Sequence, residues 1–339
     1  MHAQQVTADL ARPEDADAIL TLNRLIYGPN DILATRADFA WRCDQNPAGQ
    51  AAIPVVRDRQ GQVVGFIWLV PLHVRVRGQN RLGAAGTNLV IQPEYRQSFA
   101  YVKLIRRFDQ AFQDKHIPLH YSFISEGKYG QLLKHAPGHA ATIPLLVKPL
   151  MPSPFPARSP VSKDGITVRA VNRFDPGLDQ FWSRVQDKYP AMAIRSSAFL
   201  AWRFVEFPGR RYRVLVAQEG DQVLGYAVVR RSTVRGVKTG LVMDLLVADG
   251  AAGETAGHCL MAEAEGFFLS EGMPLAVGLM MPHAAEYRVL RRAGYVRWPQ
   301  ALAPRVFWFA MFVHDAGEPA LSTLSARDWF ITLADYESF

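Results

Sequence analysis

The sequence predicts a mixed α/β fold in which two similar units follow each other in one chain. Three short phrases recur in the same order, at spacings that drift only from 161 to 158 residues. They are AWR at 40–42 and 201–203, QVVGF at 62–66 and QVLGY at 222–226, and VRG at 76–78 and 234–236. Self-similarity at so long a period indicates a duplicated domain, because the repeating units of solenoids are much shorter.

Both units carry the same order of predicted elements. A strand and a helix precede the Trp-Arg segment, and apolar runs on either side of a polar turn then predict a hairpin. Another strand leads into a long helix, after which a strand, a helix and a last strand close the unit. The strands and hairpins are predicted at 5–13, 52–70, 86–93, 118–125 and 144–150, and again at 166–171, 212–230, 240–249, 274–282 and 305–313. This order predicts a mixed sheet with helices on its faces in each unit.

The boundary between the units is predicted from proline. Five prolines, at positions 149, 152, 154, 156 and 160, favour an extended and semi-rigid linker. We therefore predict units at 1–148 and 166–339, joined by a linker at 149–165.

Composition excludes several classes of protein. No apolar run reaches the roughly 20 residues that cross a bilayer, and the first residues lack the apolar core of a signal peptide, which predicts a cytoplasmic protein. With two cysteines, Cys43 and Cys259, neither a disulfide framework nor a zinc site is expected. The net charge of +7 is spread along the chain and not gathered in a basic and aromatic module, so nucleic acid is not the expected partner.

Two segments carry chemically informative patterns. In the second unit, PHAAEYRVLRRAGYVRWP at 282–299 has a short polar start, a helix, and a Gly294-Tyr295 pair that leads into a strand. In the first unit, IQPEYRQSFAYVKL at 91–104 is a strand end followed by a loop and a helix. Both segments resemble motifs of the GNAT superfamily of acyl-CoA N-acyltransferases, and nearly the whole chain resembles a tandem of such domains. The residues at matching positions of the first segment are Ile91, Pro93, Arg96 and Leu104.

A narrower resemblance rests on two other segments. The first Trp-Arg segment with its Asn-Pro pair at 46–47, and the ending DWFITLADYESF at 328–339, are similar to bacterial tandem GNAT proteins. Those proteins are associated with the assembly of cell-envelope polysaccharide or lipid. The resemblance implies an acceptor from that area of chemistry.

The resemblance also implies where the donor binds. In this superfamily, backbone N–H groups at a helix N-terminus hold the pyrophosphate of coenzyme A, and glycines permit its close approach. Neither unit has the complete pattern, because Phe99 and Tyr101 replace the first unit's glycines, and Ala252 replaces the second unit's arginine. In the second unit Thr255 also replaces the central glycine. The implied donor-binding residues are Arg96, Ser98, Val247, Gly253, Thr255 and Gly257.

Catalytic roles implied by the resemblance fall mainly on the second unit. Asp244, three residues before Val247, stands where the family often has a general base, whereas the matching residue of the first unit is Asn88. A carboxylate that pairs within the sheet is an equally weighted interpretation of Asp244. Tyr287, one helical turn before the usual position of the acid, could protonate the leaving thiolate or be an ordinary packed aromatic. His283 could bind substrate or cap the following helix.

Three other groups of residues have two interpretations each. The Trp-Arg pairs are expected to be packing devices, with a role in substrate binding as the alternative. The helix after the first loop carries Lys103, Arg106 and Arg107, which could be a solvated face or could attract the 3′-phosphate of coenzyme A or an acidic acyl carrier protein. A polar group of the first unit could line a second site or simply be solvated; it comprises His120, Glu126 and Tyr129.

The resulting hypothesis is a cytoplasmic N-acyltransferase that moves an acyl group from acetyl-CoA or a longer acyl-CoA to an amine of a small molecule, sugar or lipid precursor, without a metal. In one alternative an acyl carrier protein is the donor and the product is a lipid amide, with peripheral contact to a membrane surface. In another the chain is a non-catalytic CoA-binding or scaffold module. A third is a tRNA-dependent aminoacyl transferase, for which the basic charge is the only argument.

Overall fold

The computed structural model describes residues 5–151, 162–303, 305–315 and 317–336. Within these residues the chain forms two mixed sheets of eight strands each, with helices on their faces, which confirms the predicted fold class. We call 5–151 the N-terminal half and 162–336 the C-terminal half. Most of the predicted linker falls on 152–161, which lie outside the described residues.

The strands and helices follow the predicted order. The strands are β1 Thr7–Leu10, β2 Pro54–Arg57, β3 Val63–Val76, β4 Gln79–Ile91, β5 Leu119–Ile124, β6 Ala140–Ile143, β7 Leu145–Pro149, β8 Ser162–Lys163, β9 Ile166–Val171, β10 Ala191–Ala193, β11 Arg213–Glu219, β12 Gln222–Val234, β13 Val237–Val247, β14 Leu275–Leu279, β15 Val296–Arg297 and β16 Phe307–Val313. The helices are α1 Ala16–Tyr27, α2 Arg36–Cys43, α3 Ala100–Asp114, α4 Glu126–His135, α5 Pro176–Val185, α6 Ser197–Leu200, α7 Gly250–Ser270, α8 Ala285–Arg292 and α9 Pro319–Ser322. A π-helical turn at Ala201–Val205 carries the second Trp-Arg pair.

The two halves exchange their last strands. The first sheet has the order β1-β2-β3-β4-β5-β16-β6, with β10 also paired to β3, and the second has the order β15-β7-β14-β13-β12-β11-β9-β8. The expectation that each last strand closes its own unit is therefore wrong. Pro144 stands between β6 and β7, and because proline has no N–H to donate to a ladder, the chain leaves the first sheet there and enters the second. The predicted domain limits remain a prediction from the repeat.

The repeated tryptophans meet each other. The rings of Trp41 and Trp202 stack with centroids 4.2 Å apart and an interplanar angle of 6°. The Trp41 indole N–H donates to the carbonyl of Trp202 at 2.8 Å, and the Trp202 indole N–H donates to the carbonyl of Trp41 at 3.0 Å. This reciprocal contact joins the halves, so the structural interpretation of the Trp-Arg segments is the one that the geometry supports.

The repeated VRG phrases form the same tight turn. Arg77 and Gly78 have φ of 45° and 79°, and Arg235 and Gly236 have φ of 48° and 82°. Two successive positive φ angles between paired strands define the turn that matches the natural twist of a hairpin. The phrase therefore recurs because β3–β4 and β12–β13 are corresponding hairpins.

Candidate functional site

The first sheet opens between β4 and β5. These parallel strands pair only where Ala84–Gly86 lies beside His120–Ser122, although both continue further. The register of β4 against β3 shifts between Phe66 and Trp68, and Asn88 has φ of 51°. Because a bulge bends its strand, the ends of β4 and β5 separate and leave a space in the sheet.

Three adjoining cavities follow the separated end of β4. The largest, of about 500 Å³, lies between the two halves of the chain. The others, of about 470 and 340 Å³, border α3. Leu89 lines all three, and Tyr101 lines the two beside α3. These shared walls describe a route from the beginning of α3 into the centre of the molecule. The residues that line the largest cavity with polar side chains include Asp31, Asn88, Ser122, Arg210 and Arg305. Asp335 also lines it, but its carboxylate is shielded from solvent and bonded to Arg195.

Asn88 presents an unused hydrogen-bond donor at this opening. It lines the 500 and 470 Å³ cavities, and its side-chain nitrogen is buried without a hydrogen-bond partner among the described residues. Its oxygen accepts a long hydrogen bond of 3.3 Å from the hydroxyl of Thr87. A buried amide donor without a partner is costly, and a ligand carbonyl would satisfy it.

The predicted donor residues of the N-terminal half stand at the other end of the route. Arg96 is exposed and lines the 340 Å³ cavity, and its Nε donates to the carbonyl of Ile91 at 3.1 Å. The hydroxyl of Ser98 donates to the carbonyl of Tyr95 at 2.6 Å and accepts from the N–H of Ala100, the first residue of α3, at 3.1 Å. The following N–H groups of the first turn have no partner within the helix, as at any helix N-terminus.

The corresponding opening in the second sheet is filled by protein. β13 and β14 pair from Thr239–Val242 to Leu275–Gly278, and beyond that point Arg195 and the C-terminal segment occupy the interior. The Arg195 guanidinium donates to both oxygens of Asp335, at 2.9 and 2.7 Å, and to Asp244 at 3.0 Å. All three side chains are fully shielded from solvent.

Asp244, the predicted base, lies inside this filled opening. Both its oxygens are engaged, because Oδ2 accepts from Arg195 at 3.0 Å and from the hydroxyl of Tyr226 at 2.8 Å, and Oδ1 accepts from the hydroxyl of Thr332 at 2.9 Å. Burial is the largest influence on the pKa of Asp244 and raises it, against the opposing effect of the Arg195 guanidinium. A raised pKa suits a base, but Asp244 lines none of the cavities described here. The geometry is that of the alternative, a carboxylate paired within the sheet, and the catalytic role remains a prediction.

The end of β13 is also occupied. The N–H of Val247, a predicted donor contact, donates to the buried carboxylate of Glu286 at 3.0 Å. Lys188 donates to the same carboxylate at 2.8 Å and to the carbonyl of Val247 at 2.7 Å, and the hydroxyl of Tyr189 donates to Glu286 as well. A bound thioester would have to compete with these groups for the backbone of Val247.

The glycines of the second predicted loop have packing reasons for being glycine. A Cβ at Gly253 would lie 1.9 Å from the carbonyl oxygen of Ala248, and one at Gly257 would lie 2.9 Å from the side chain of Val289 on α8. Thr255 is half-buried on α7. A cavity of about 300 Å³ does lie at the first turn of α7, with Asp249, Glu254 and Arg288 among its walls, so donor binding there stays a prediction.

His283 and Tyr287 flank the start of α8. The N-cap residue is Ala284, with no side-chain hydrogen bond, so His283 does not cap the helix. The His283 ring is exposed and meets the edge of Tyr189 at 5.9 Å between centroids. Tyr287 is half-buried against the main core. Their catalytic roles remain predictions.

The remaining polar group of the N-terminal half is split by the fold. His120 is buried, lines the 470 Å³ cavity, and shares a 2.7 Å hydrogen bond with His314 of the C-terminal half. Burial lowers the pKa of His120 well below its usual range and that of His314 to about 4. Tyr129 accepts a hydrogen bond from Thr142 at 2.9 Å, and Glu126 is exposed. The three residues therefore do not form one site.

The basic face of α3 is partly engaged within the protein. Lys103 donates to the carbonyl of Val6, and Arg107 pairs with Asp114 at 3.0 Å. Arg106 is exposed. An acidic partner at this face stays a prediction.

Several residues of the central cavity could not be recognised from the sequence. Asp31, Arg210, Arg305 and Tyr336 line it. Asp31 and Arg210 lie in loops outside every motif, whereas Arg305 begins a predicted strand and Tyr336 belongs to the ending at 328–339, and neither pattern indicates a cavity. The repeat was the available signal for these residues. Two similar units in one chain predict that their corresponding hairpins, and the segments beside those hairpins, lie close together. The sequence does single out Asn88, three residues before Ile91, but as the counterpart of Asp244 and not as a hydrogen-bond donor.

No family model and no curated protein matches the chain. Solved structures do match it over most of its length. A GCN5-related N-acetyltransferase from Anabaena variabilis ATCC 29413 is 11% identical with a TM-score of 0.66, covering 92% of this chain and 74% of that one. A GCN5-related N-acetyltransferase from Kribbella flavida is 14% identical with a TM-score of 0.62, covering 94% and 73%. N-myristoyltransferase of Saccharomyces cerevisiae, solved with bound myristoyl-CoA, is 12% identical with a TM-score of 0.60, covering 91% and 79%. The chain thus has the fold of these acyltransferases.

Among the described residues, no helix has the length and apolar character needed to span a membrane.

Proposed function

We propose that the protein is an N-acyltransferase that takes its acyl group from an acyl-CoA bound in the opening between β4 and β5. The observation that carries the proposal is the separation of these strands beyond Gly86, where three adjoining cavities lead from the N-terminus of α3 to the space between the two halves. The fold shared with solved N-acyltransferases supports this reaction class. The sequence favoured the C-terminal half for the chemistry, and the proposal differs because the opening there is filled by Arg195 and its partners.

The walls of the route suggest how the donor is held. Arg96 and the first turn of α3 would take the pyrophosphate, since a helix N-terminus binds phosphate through its free N–H groups. The pantetheine arm would pass Leu89, which lines all three cavities. The side-chain N–H of Asn88 would donate to the thioester carbonyl oxygen and stabilise the negative charge that develops there.

The reaction itself requires few groups. The amine nitrogen attacks the thioester carbon, the C–N bond forms, the C–S bond breaks, the amine loses a proton and the thiolate gains one. We propose Asp31, which lines the central cavity, as the group that receives the amine proton. Tyr27 lines the same cavity, and we propose its phenol as the group that supplies a proton to the thiolate.

An apolar cavity favours an acyl chain longer than acetyl or a lipid acceptor. It measures about 370 Å³ and adjoins the central cavity at Arg305 and Tyr336. Its walls include Leu145, Val234, Leu241, Trp298, Leu302 and Phe307. Apolar walls of this kind bind hydrocarbon in proportion to the area that is buried. A long acyl chain is compatible with both proposed partners, an acyl carrier protein and a membrane surface.

The experiment combines binding with turnover. Purified protein is melted with coenzyme A, acetyl-CoA, myristoyl-CoA and no ligand, and thiol release is then followed with a panel of primary amines. A ligand at 100 times its Kd stabilises the folded state by about 2.7 kcal/mol, a shift on the order of 5 °C. The proposal predicts such a shift and amine-dependent thiol release. A shift without release from any amine would favour the binding module, and no shift with any CoA species would refute CoA as the donor.

A further inference from the structure

The central cavity has a cationic wall whose charges lack partners. Arg210 lines this cavity, and its Nη1 is buried without a hydrogen-bond partner among the described residues. Its guanidinium lies 5.0 Å from the ring centroid of Phe207, and no carboxylate of the described chain forms an ion pair with it. Burial is the largest influence on the pKa of Arg210 and lowers it, and the opposing influences of Tyr212, Asp38 and Asp31 act only through space.

Two further arginines interact electrostatically with Arg210 and increase the positive charge. Arg203 is 1% exposed, and it donates to the carbonyls of Ala334 and Tyr336, while its Nη1 has no described partner. Arg230 has a buried Nε without a described partner, and burial lowers its pKa to about 10. Arg203 lowers the pKa of both Arg210 and Arg230, so the three cations interact.

The neighbouring acids do not neutralise this group by contact. Asp38 is buried and bonded to Arg42 at 2.8 and 3.3 Å. Asp31 accepts the N–H of Leu33 at 2.9 Å and acts on Arg210 only through space. Buried guanidinium groups in natural proteins are normally paired, because an uncompensated buried charge costs several kcal/mol.

Arg305 is the second arginine that lines the cavity, and it comes from another part of the chain than Arg210. Arg305 lies 5.0 Å from the ring centroid of Tyr336 and lines the same 500 Å³ space, with no ion pair among the described residues. A guanidinium matches the planar, two-oxygen geometry of a carboxylate or a phosphate. The cavity therefore offers two guanidinium groups to an anion and one carboxylate, Asp31, to an amine.

We infer that the acceptor is a primary amine that also carries an anionic group, a carboxylate or a phosphate, bound by Arg210 and Arg305 while the amine faces Asp31. The inference rests on the proposed acyl transfer and names the class of its acceptor. A volume of about 500 Å³ suits a small zwitterion together with the reacting end of the donor. Amino acids and phosphate esters of amino alcohols or amino sugars both belong to this class.

The first test needs no turnover. Inorganic phosphate is titrated at constant ionic strength while the melting midpoint is followed for the wild type, Arg210→Met and Arg211→Met. Arg211 is the matched control, because it is the exposed neighbour of Arg210. Phosphate is expected to raise the midpoint of the wild type and of Arg211→Met but not that of Arg210→Met. An equal shift in all three proteins would overturn the inference.

The second test compares matched acceptors in the full chain with an acyl-CoA. O-phosphoethanolamine is paired with ethanolamine, and 3-aminopropanoate with propylamine, so that each pair differs in the anion. In at least one pair, the wild type is expected to have a kcat/KM at least tenfold higher for the anionic amine than for its counterpart. The pair that shows this preference tells whether the site binds a phosphate or a carboxylate. Arg210→Met should raise KM for that acceptor at least tenfold, with partial recovery in Arg210→Lys and an unchanged midpoint shift with acyl-CoA.

The outcomes separate this inference from the function on which it rests. Transfer to both members of each pair at equal efficiency would refute the anionic acceptor while leaving acyl transfer in place. Phosphate protection that depends on Arg210, without transfer to any amine, would support the anion site and refute the proposed reaction. Loss of the acyl-CoA shift in Arg210→Met would assign the arginines to the donor's phosphates and overturn the inference.

Discussion

Replacing Asp244 distinguishes a structural carboxylate from a catalytic base. Asp244→Asn keeps the shape of the side chain but removes its charge and turns one acceptor into a donor. The loss affects a charge-assisted bond from Arg195 and the bonds from Tyr226 and Thr332. Since a bond to a charged group contributes about 1.5–3 kcal/mol and an unsatisfied buried group costs about 1–3 kcal/mol, we expect a loss of about 3–5 kcal/mol in the free energy of unfolding.

The assay is urea denaturation with a matched control. Asp249→Asn alters an exposed carboxylate just beyond the end of the same strand, and its stability should stay within about 0.5 kcal/mol of the wild type. Below its unfolding transition, Asp244→Asn should bind acyl-CoA as the wild type does and should retain its turnover with any acceptor that is found. A general base would behave in the opposite way, because its removal typically costs about 10²–10⁴ in rate. A folded Asp244→Asn protein with near-normal stability and a hundredfold loss of turnover would show that Asp244 is a catalytic base and not a structural carboxylate.

Three other predictions concern the fold. Trp41→Phe and Trp202→Phe each remove one indole hydrogen bond and should each lower the free energy of unfolding by about 1–2 kcal/mol. A double-mutant cycle in urea should give a coupling energy of about 0.5–3 kcal/mol between the two positions. Additive losses would contradict the reciprocal contact. Gly236→Ala should lower the free energy of unfolding by about 1 kcal/mol, because φ is 82° there. Gly266→Ala lies inside α7 with open space around it and should raise that free energy by about 0.5–1 kcal/mol. Changes of the same sign in urea denaturation of the two variants would refute this contrast. The pair of buried His120 and half-buried His314 stays neutral while the unfolded chain takes up protons from pH 6.5 downward, so stability falls between pH 6.5 and 4. His120→Phe should reduce that slope by up to about 1.4 kcal/mol per pH unit, and an unchanged slope in denaturation series at pH 6.5, 5.5 and 4.5 would contradict the assignment.

The repeated phrases allowed the fold class and the order of elements to be predicted. The Trp-Arg and VRG phrases are local devices, one for packing and one for a turn, and such devices leave a clear signal in the sequence. The exchange of β7 and β16 leaves almost none, because each strand has the same apolar pattern whichever sheet it enters. Only Pro144 marks the place where the chain changes sheets.

The site was harder to predict for a physical reason. Motif matching ranked the halves by the residues present at the strand ends, and Asp244 therefore ranked above Asn88. Whether a strand end is open or filled depends on Arg195 and on the C-terminal segment, which lie far from it in the sequence. The same long-range packing brings Arg210 beside the N-terminal half's opening, and no local pattern records it.

The donor is proposed to bind between β4 and β5 of the N-terminal half. Leu89→Trp places a large side chain where the three cavities of the N-terminal half adjoin. Ala251→Trp places one in the 300 Å³ cavity at the first turn of α7. Both positions are exposed, so both variants should fold. Calorimetric titration with acyl-CoA is the measurement. Binding is expected to be lost in Leu89→Trp and kept in Ala251→Trp, and the reverse pattern would place the donor in the C-terminal half instead.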